Sequence, residues 1–397
     1  MKKIINAIKT KNSIIIISSI LFIAILFAIP TGFEKQYKNE IRIQGKIIDT
    51  DNSSLHQYGI VKQGEQNLIV EVITENKRKL LVKATNLVQG NMELDKVFSK
   101  GDKVLVILTK NKNGEISEWA SVSDFWRLDI EIVLLLGFAL LLIFFAGAIG
   151  IRALLSFIMT ALSFWKLLIP AYLKGFNPII VAILVISICT IMIQLLIGGW
   201  SKKTITAISG SLAGMGTILS ILLVFAPKFR LHGAIQKFSE TLLYSGFPNL
   251  DLTGILYASI FIGAMGAIMD LSMDIAAAQE EIVIHSPEIS MKELIKSGMR
   301  VGKAVLGTMS TTLLFAYSSS YIPLLMIFMS QGVPIENAIN LQYVAVEILY
   351  TMAGSIGLVL VTPATAVIGG FFMAFPNKIK TNKKNRKHSI LYNTTNI

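Results

Sequence analysis

The sequence predicts a polytopic α-helical membrane protein with about eight transmembrane helices and a small extracytoplasmic all-β domain, a barrel or a sandwich. Three observations predict it. Hydrophobic residues make up 53% of the 397 residues and charged residues 16%, against roughly 25% charged in a soluble domain. Apolar runs of spanning length recur from residue 130 onward, and one long polar stretch, 31–128, contains none. This composition excludes an ordinary soluble enzyme, a disordered chain and a fibrous repeat.

The elements follow in order. Residues 1–12 carry Lys2, Lys3, Lys9 and Lys11 with no acid, a basic cytoplasmic N-terminus. Residues 13–30 form the first transmembrane helix. The run ends Phe27-Ala28-Ile29-Pro30 without a small-x-small cleavage site, so it reads as a retained signal anchor. Residues 31–128 hold 15 basic and 13 acidic residues. Strand-forming runs, Ile41–Ile48, Leu68–Ile73, Leu80–Ala84 and Lys103–Thr109, alternate there with turn signals at Asp51-Asn52, Gln89-Gly90, Lys100-Gly101 and Asn113-Gly114.

Residues 129–376 make a seven-helix transmembrane domain. Its apolar segments run from about Ile130 to Ala148, Leu154 to Tyr172, Ile179 to Gly198, Ile205 to Phe225, Leu252 to Met269, Ala304 to Met329 and Val344 to Phe375. The connection 227–251 mixes apolar and charged residues and reads as an interfacial or re-entrant helix. Pro363 marks a kink or a break in the last segment. The tail 377–397 is basic, with six Lys or Arg between Lys378 and Lys387. Both basic ends belong in the cytoplasm, which puts the β-domain outside. Lys174, Lys228, Arg230 and Lys237 then fall outside, against the rule. The setting expected is a cell membrane, crossed several times.

The net charge of +12 concentrates beside apolar segments, without interleaved aromatic residues. It fits attraction to membrane lipids rather than to nucleic acid. Cys189, the single cysteine, lies in an apolar run and reads as a buried small hydrophobe.

A specific pattern begins in the sixth segment. Gly263-Ala264-Met265-Gly266-Ala267-Ile268-Met269-Asp270 is followed by Asp274-Ile275-Ala276 and Glu281. Gly307-Thr308-Met309-Ser310-Thr311-Thr312 and Glu347-Ile348 with Gly354-Ser355-Ile356-Gly357 come later. Together these motifs resemble the YibE/F family of bacterial membrane proteins over most of residues 128–376. The resemblance implies a fold and a membrane location rather than a reaction. Members often carry Arg-Asp after the glycine equivalent to Gly302, and Arg at the position of Tyr350. This chain has Lys303-Ala304 and Tyr350 there, so an ion pair or proton relay on that aspartate does not carry over.

Asp270, Asp274 and Glu281 fall within roughly 40° of one helix face. Carboxylates on one stripe could bind a cation or relay a proton, since ionisable groups in spans are rare and usually functional. The opposing reading is that the helix has left the bilayer by Asp270 and the carboxylates face cytosolic water. Asp270 is the one expected to be buried, because the apolar run ends at it. Thr308 and Thr312, with Thr311, bring hydroxyls to the seventh segment. These could line an ion path or satisfy their own backbone. Glu347 stands near the start of the eighth. Gly263, Gly266, Gly307, Gly354 and Gly357 are expected to let helices approach closely.

His56, His232, His285 and His388 show no metal-ligand spacing. No phosphate-binding glycine loop, dinucleotide fingerprint or nucleophile elbow occurs. No enzyme activity and no cofactor are expected. Two functions remain open: secondary or facilitated transport of a small ion or solute, and an envelope assembly or accessory role. In the second, the β-domain would hold an envelope protein; a homo-oligomer is the other partner expected.

Overall fold

The computed structural model describes residues 2–33, 40–73, 78–110 and 116–374. The basic tail and the Asn113-Gly114 turn expected from the sequence lie outside the described residues. The chain divides into two compact units, Gly32–Gly147 and Met1–Thr31 with Ala148–Ile397.

The first unit is a closed five-stranded barrel. Its strands are β1 (Glu40–Tyr58), β2 (Val61–Ile73), β3 (Lys79–Gln89), β4 (Lys103–Lys110) and β5 (Ile116–Phe125). They close in the order β1-β2-β3-β5-β4, with β3 and β5 parallel and the other pairs antiparallel. Alternation puts Leu68, Val70 and Val72 of β2 inside with Val82 and Ala84 of β3 and Val104, Val106 and Leu108 of β4. Asp51-Asn52 is not a turn. β1 continues through it, and the register with β2 shifts between Asp51 and Ser54. The Asp51 carboxylate accepts the Ser53 N–H at 2.9 Å. Such a bulge bends a long strand around a small barrel.

Gln66 is fully buried in this barrel. Its Nε2 donates to the Phe98 carbonyl and its Oε1 accepts the Phe98 N–H, at 2.7 and 3.0 Å. One amide thereby fixes the loop before β4 and lets Phe98 fill the interior. Helix α2 (Leu128–Ser163) starts in this unit and leaves it at Gly147, whose φ of 54° and ψ of −127° interrupt the helix.

The second unit is helical. It contains α1 (Lys2–Ala28), the rest of α2, a π-helical turn at Phe164–Leu168 and α3 (Ile169–Leu173). These are followed by α4 (Pro178–Gly198), α5 (Lys202–Phe229), α6 (Ser239–Tyr244), α7 (Leu252–His285) and α8 (Met291–Ser318). The last are α9 (Ile322–Ser330), α10 (Ile335–Asn340) and α11 (Gln342–Met373). Among the described residues five helical stretches are long and apolar enough to cross a membrane, and six if the bent pair α8–α9 counts as one. The apolar part of α1, Ser13–Ala28, is shorter. The chain is thus a polytopic α-helical membrane protein with five or six long apolar helices and a small closed β-barrel.

Three local expectations change. Past the end of α5 the connection 227–251 folds as a 3-10 turn at Gly233–Ile235 and the six-residue α6, too short to enter and leave a bilayer, which removes the re-entrant alternative and leaves the interfacial one. The seventh apolar segment is not one helix. It breaks at Ser319–Tyr321, just before Pro323 of α9. α11 runs unbroken through Pro363, held on three sides by α5, α7 and α8.

Helices α5 and α7 match at a few positions fifty residues apart. Met215-Gly216 and Ile218 recur as Met265-Gly266 and Ile268, and Ala213-Gly214 is answered by Gly263-Ala264. The same interval separates their N-caps, Ser201 and Asp251, whose side chains accept the N–H groups of Thr204 and Gly254. Met215 and Met265 are buried, as are Ile218 and Ile268. The two helices run antiparallel. Tyr257 donates its hydroxyl to the Ala226 carbonyl at one end, and Lys203 pairs with Glu280 at 3.1 Å at the other.

Candidate functional site

α11 packs by glycines. A methyl group on Gly357 would meet Ile218 Cγ1 at 2.8 Å and Ile268 Cδ1 at 3.2 Å. One on Gly354 would meet Leu313 Cδ1 of α8 at 3.1 Å. On Gly214 of α5 it would meet Val361 and Ile268, both at 2.9 Å. Gly210 closes on Thr365, and Gly369 on the Gln279 amide. Where lipid supplies no hydrophobic drive, such close approach is what joins helices. Gly263 faces the Tyr317 hydroxyl of α8, 3.1 Å from where its methyl would be. Gly266 and Gly307 have nothing within 4 Å, so neither serves a contact among the described residues.

Polar side chains stitch the buried side of these helices. Gln279 of α7 is fully buried, and its Nε2 donates to the Ala366 carbonyl of α11 at 2.9 Å and the Leu294 carbonyl of α8 at 3.2 Å. Gln194 of α4 donates to the Ser211 hydroxyl of α5 at 2.7 Å. Neither amide is among the candidates expected from the sequence, although a glutamine inside an apolar run is the signal that finds them. The same holds for Lys166, a charge within the third apolar segment. Its ammonium donates to the Ile29 carbonyl just past α1, at 2.9 Å.

The carboxylate stripe lies on the opposite side of α7. Ile268, Leu271, Ser272 and Ile275 are fully buried, whereas Gly263, Gly266, Asp270 and Asp274 are exposed. Asp270 is thus not buried within the chain, contrary to the expectation. The apolar run ends at Met269, but the helix period turns residue 270 away from the core. Fifty residues earlier the place of Asp270 is held on α5 by Ser220, also exposed and bonded to the Gly216 carbonyl at 2.8 Å. Glu281 shares the face but pairs with His285 at 2.9 Å, both side chains well exposed.

Thr308, Thr311 and Thr312 are exposed on α8. Each donates its hydroxyl to a carbonyl of its own helix, those of Val305, Gly307 and Thr308. Their lone pairs stay available, but no contact joins them to the aspartates of α7. Glu347 is half-buried on α11. Its Oε1 is screened from solvent and has no hydrogen-bond partner among the described residues. Tyr350 lies one turn on, its ring centroid 5.2 Å from that of Tyr317.

No group of three or more His, Cys, Asp or Glu side chains able to hold a metal ion occurs among the described residues. Cys189 is buried and free. The helical unit thus has a packed, glycine-rich interior and sets its acidic groups on the outward face of α7 and at the start of α11. Neither a curated protein nor a solved structure matches the chain. A family model described as YibE/F-like protein matches residues 134–374, which cover the helices from α2 to α11, and the chain belongs to that family.

Proposed function

We propose that the protein is a secondary or facilitated transporter of a small ion or solute, not an enzyme, and that Asp270 with Asp274 forms part of its path. The observation that carries this reading is the place of Asp270. Eighteen residues separate it from Leu252, about 27 Å of helix, within a hydrocarbon core roughly 30 Å thick. Gly198, where α4 ends, lies against Met273, whose Cε would be 3.4 Å from a methyl there. Taking the end of α4 as the inner boundary puts that boundary near residue 273, one turn past Asp270. A carboxylate on an outward face at that depth is costly unless it serves a solute or water path.

The topology that goes with it has eight crossings, counting α1 and the two parts of α2 on either side of Gly147. Both ends of the chain are cytoplasmic and the barrel lies outside. Thr308, Thr312 and Glu347 are the other candidates for the path, and Glu281 stands at its cytoplasmic end.

A second reading rests on a groove in the barrel of about 310 Å³, lined by Asp49, Asp51, Asn67, Lys83 and the 59%-exposed Trp119. Such a groove suits an envelope partner and an assembly or accessory role. The two readings separate on one experiment. Sodium and proton fluxes are followed in cells producing the wild type, Asp270→Asn or Asp270→Ala, with abundance measured alongside. Flux lost at normal abundance is expected for a transporter. Unchanged flux, or a loss that only tracks abundance, removes the reading.

A further inference from the structure

We propose that Glu347, Tyr317, Tyr321 and Tyr350 form a binding site for a single dehydrated alkali cation, at the end of the helical unit remote from Glu280. Three helical elements bring these groups together. Glu347 and Tyr350 stand three residues apart on α11 and so share a face. Tyr317 ends α8, and Tyr321 closes the 3-10 turn that follows it. The rings of Tyr317 and Tyr350 touch, with centroids 5.2 Å apart and planes inclined at 51°. Tyr350 stands one turn from Glu347 on α11, Tyr317 packs on Tyr350, and Tyr321 follows Tyr317 by one turn.

The chemistry of this group points to a cation. Glu347 Oε1 is shut off from solvent and has no partner among the described residues. No Lys or Arg forms an ion pair with Glu347 among the described residues. A screened carboxylate oxygen without a donor is costly. A bare cation would satisfy it, with phenol oxygens replacing lost hydration water in the way carbonyl and hydroxyl oxygens do elsewhere. The site offers one carboxylate and otherwise neutral oxygens. That balances a single positive charge and is poor in charge for calcium or magnesium, which favour several carboxylates or retained water. Gly263 is part of the design, because a side chain there would push the Tyr317 hydroxyl aside.

The site is distinct from the α7 carboxylates and does not need flux to be detected. The full-length protein in detergent is unfolded by heat in sodium, potassium or choline chloride at equal ionic strength. Sodium or potassium is expected to raise the midpoint over choline by about 2–4 °C at saturating concentration. The rise should vanish in Glu347→Gln and shrink in Tyr321→Phe, which keeps the ring and loses the oxygen. Equal midpoints in all three salts overturn the proposal, as does an ion-specific rise that survives Glu347→Gln. If Glu347→Gln does not fold, Tyr321→Phe and Tyr350→Phe decide in the same way. Ion binding without flux in liposomes would remove the transport reading and leave this site standing. Flux unaffected by Glu347→Gln, with no ion-specific stabilisation, would do the reverse.

Discussion

Ile218 and Ile268, fifty residues apart in the sequence, close on the same glycine, Gly357 of α11. They occupy matching places in the antiparallel pair α5 and α7, so α11 sits where the two helices meet. The absence of a side chain at Gly357 is what lets three backbones converge.

A leucine at Gly357 would have to displace both isoleucines. Overpacking of this kind costs about 1–3 kcal/mol or more. Gly357→Leu should therefore lower the thermal midpoint of the detergent-solubilised protein or abolish its monodisperse peak. Gly216→Ala, where nothing lies within 4 Å, should leave the midpoint unchanged or raise it slightly through helix propensity. Equal behaviour of the two variants would remove the packing role of Gly357.

Gln279 joins α7 to both α8 and α11 through its Nε2. Interhelical hydrogen bonds in membranes average about 0.6 kcal/mol and reach roughly 1.7. Gln279→Leu should then destabilise the helical unit by about 1–3 kcal/mol, read as a lower midpoint. A variant as stable as the wild type would show that the amide is incidental.

Much of this architecture was legible in the sequence. The apolar runs located most long helices, and the strand-forming runs Ile41–Ile48, Leu68–Ile73, Leu80–Ala84 and Lys103–Thr109 fall within β1, β2, β3 and β4. Less local facts were not legible. Asp51-Asn52 has turn chemistry, but in β1 it became a bulge because pairing on both sides carried the strand through it. Whether Asp270 faced core or lipid depended on which neighbours α7 has, and an apolar run does not encode that. The match of α5 with α7 could have been found by self-comparison at an interval of fifty residues. The tyrosines around Glu347 come from separate helical elements, so no spacing joins them.

The barrel should show an acid-sensitive step that traces to Asp95. Its carboxylate accepts the N–H groups of Gln89 and Asn91 at 2.9 and 2.6 Å. The bond from Gln89 is the main cause that holds its pKa below the usual carboxylate range. A depressed folded-state pKa adds stability that is present above the unfolded value, about 3.9, and is lost as pH falls through the folded value. Asp95→Asn should therefore be less stable than the wild type near neutral pH, and the gap should close in acid. Unfolding followed by circular dichroism across that range checks it. A gap independent of pH would assign the loss to packing.

The proposed topology is testable by thiol labelling in a Cys189→Ala background. Met92 of the barrel unit and His285 at the end of α7 are both well exposed. Met92→Cys should react with an impermeant reagent in intact cells. His285→Cys should react only after permeabilisation. The opposite pattern would invert the map.

The most direct test of the account is flux through the purified protein. Liposomes carrying the wild type or Asp270→Asn are given an inward sodium or proton gradient, and dissipation is followed with ion-sensitive dyes. Flux above protein-free liposomes is expected for the wild type, and for Asp270→Asn a fall to the protein-free level. Wild-type liposomes no leakier than empty ones to either ion, or an Asp270→Asn flux equal to wild type, would contradict it.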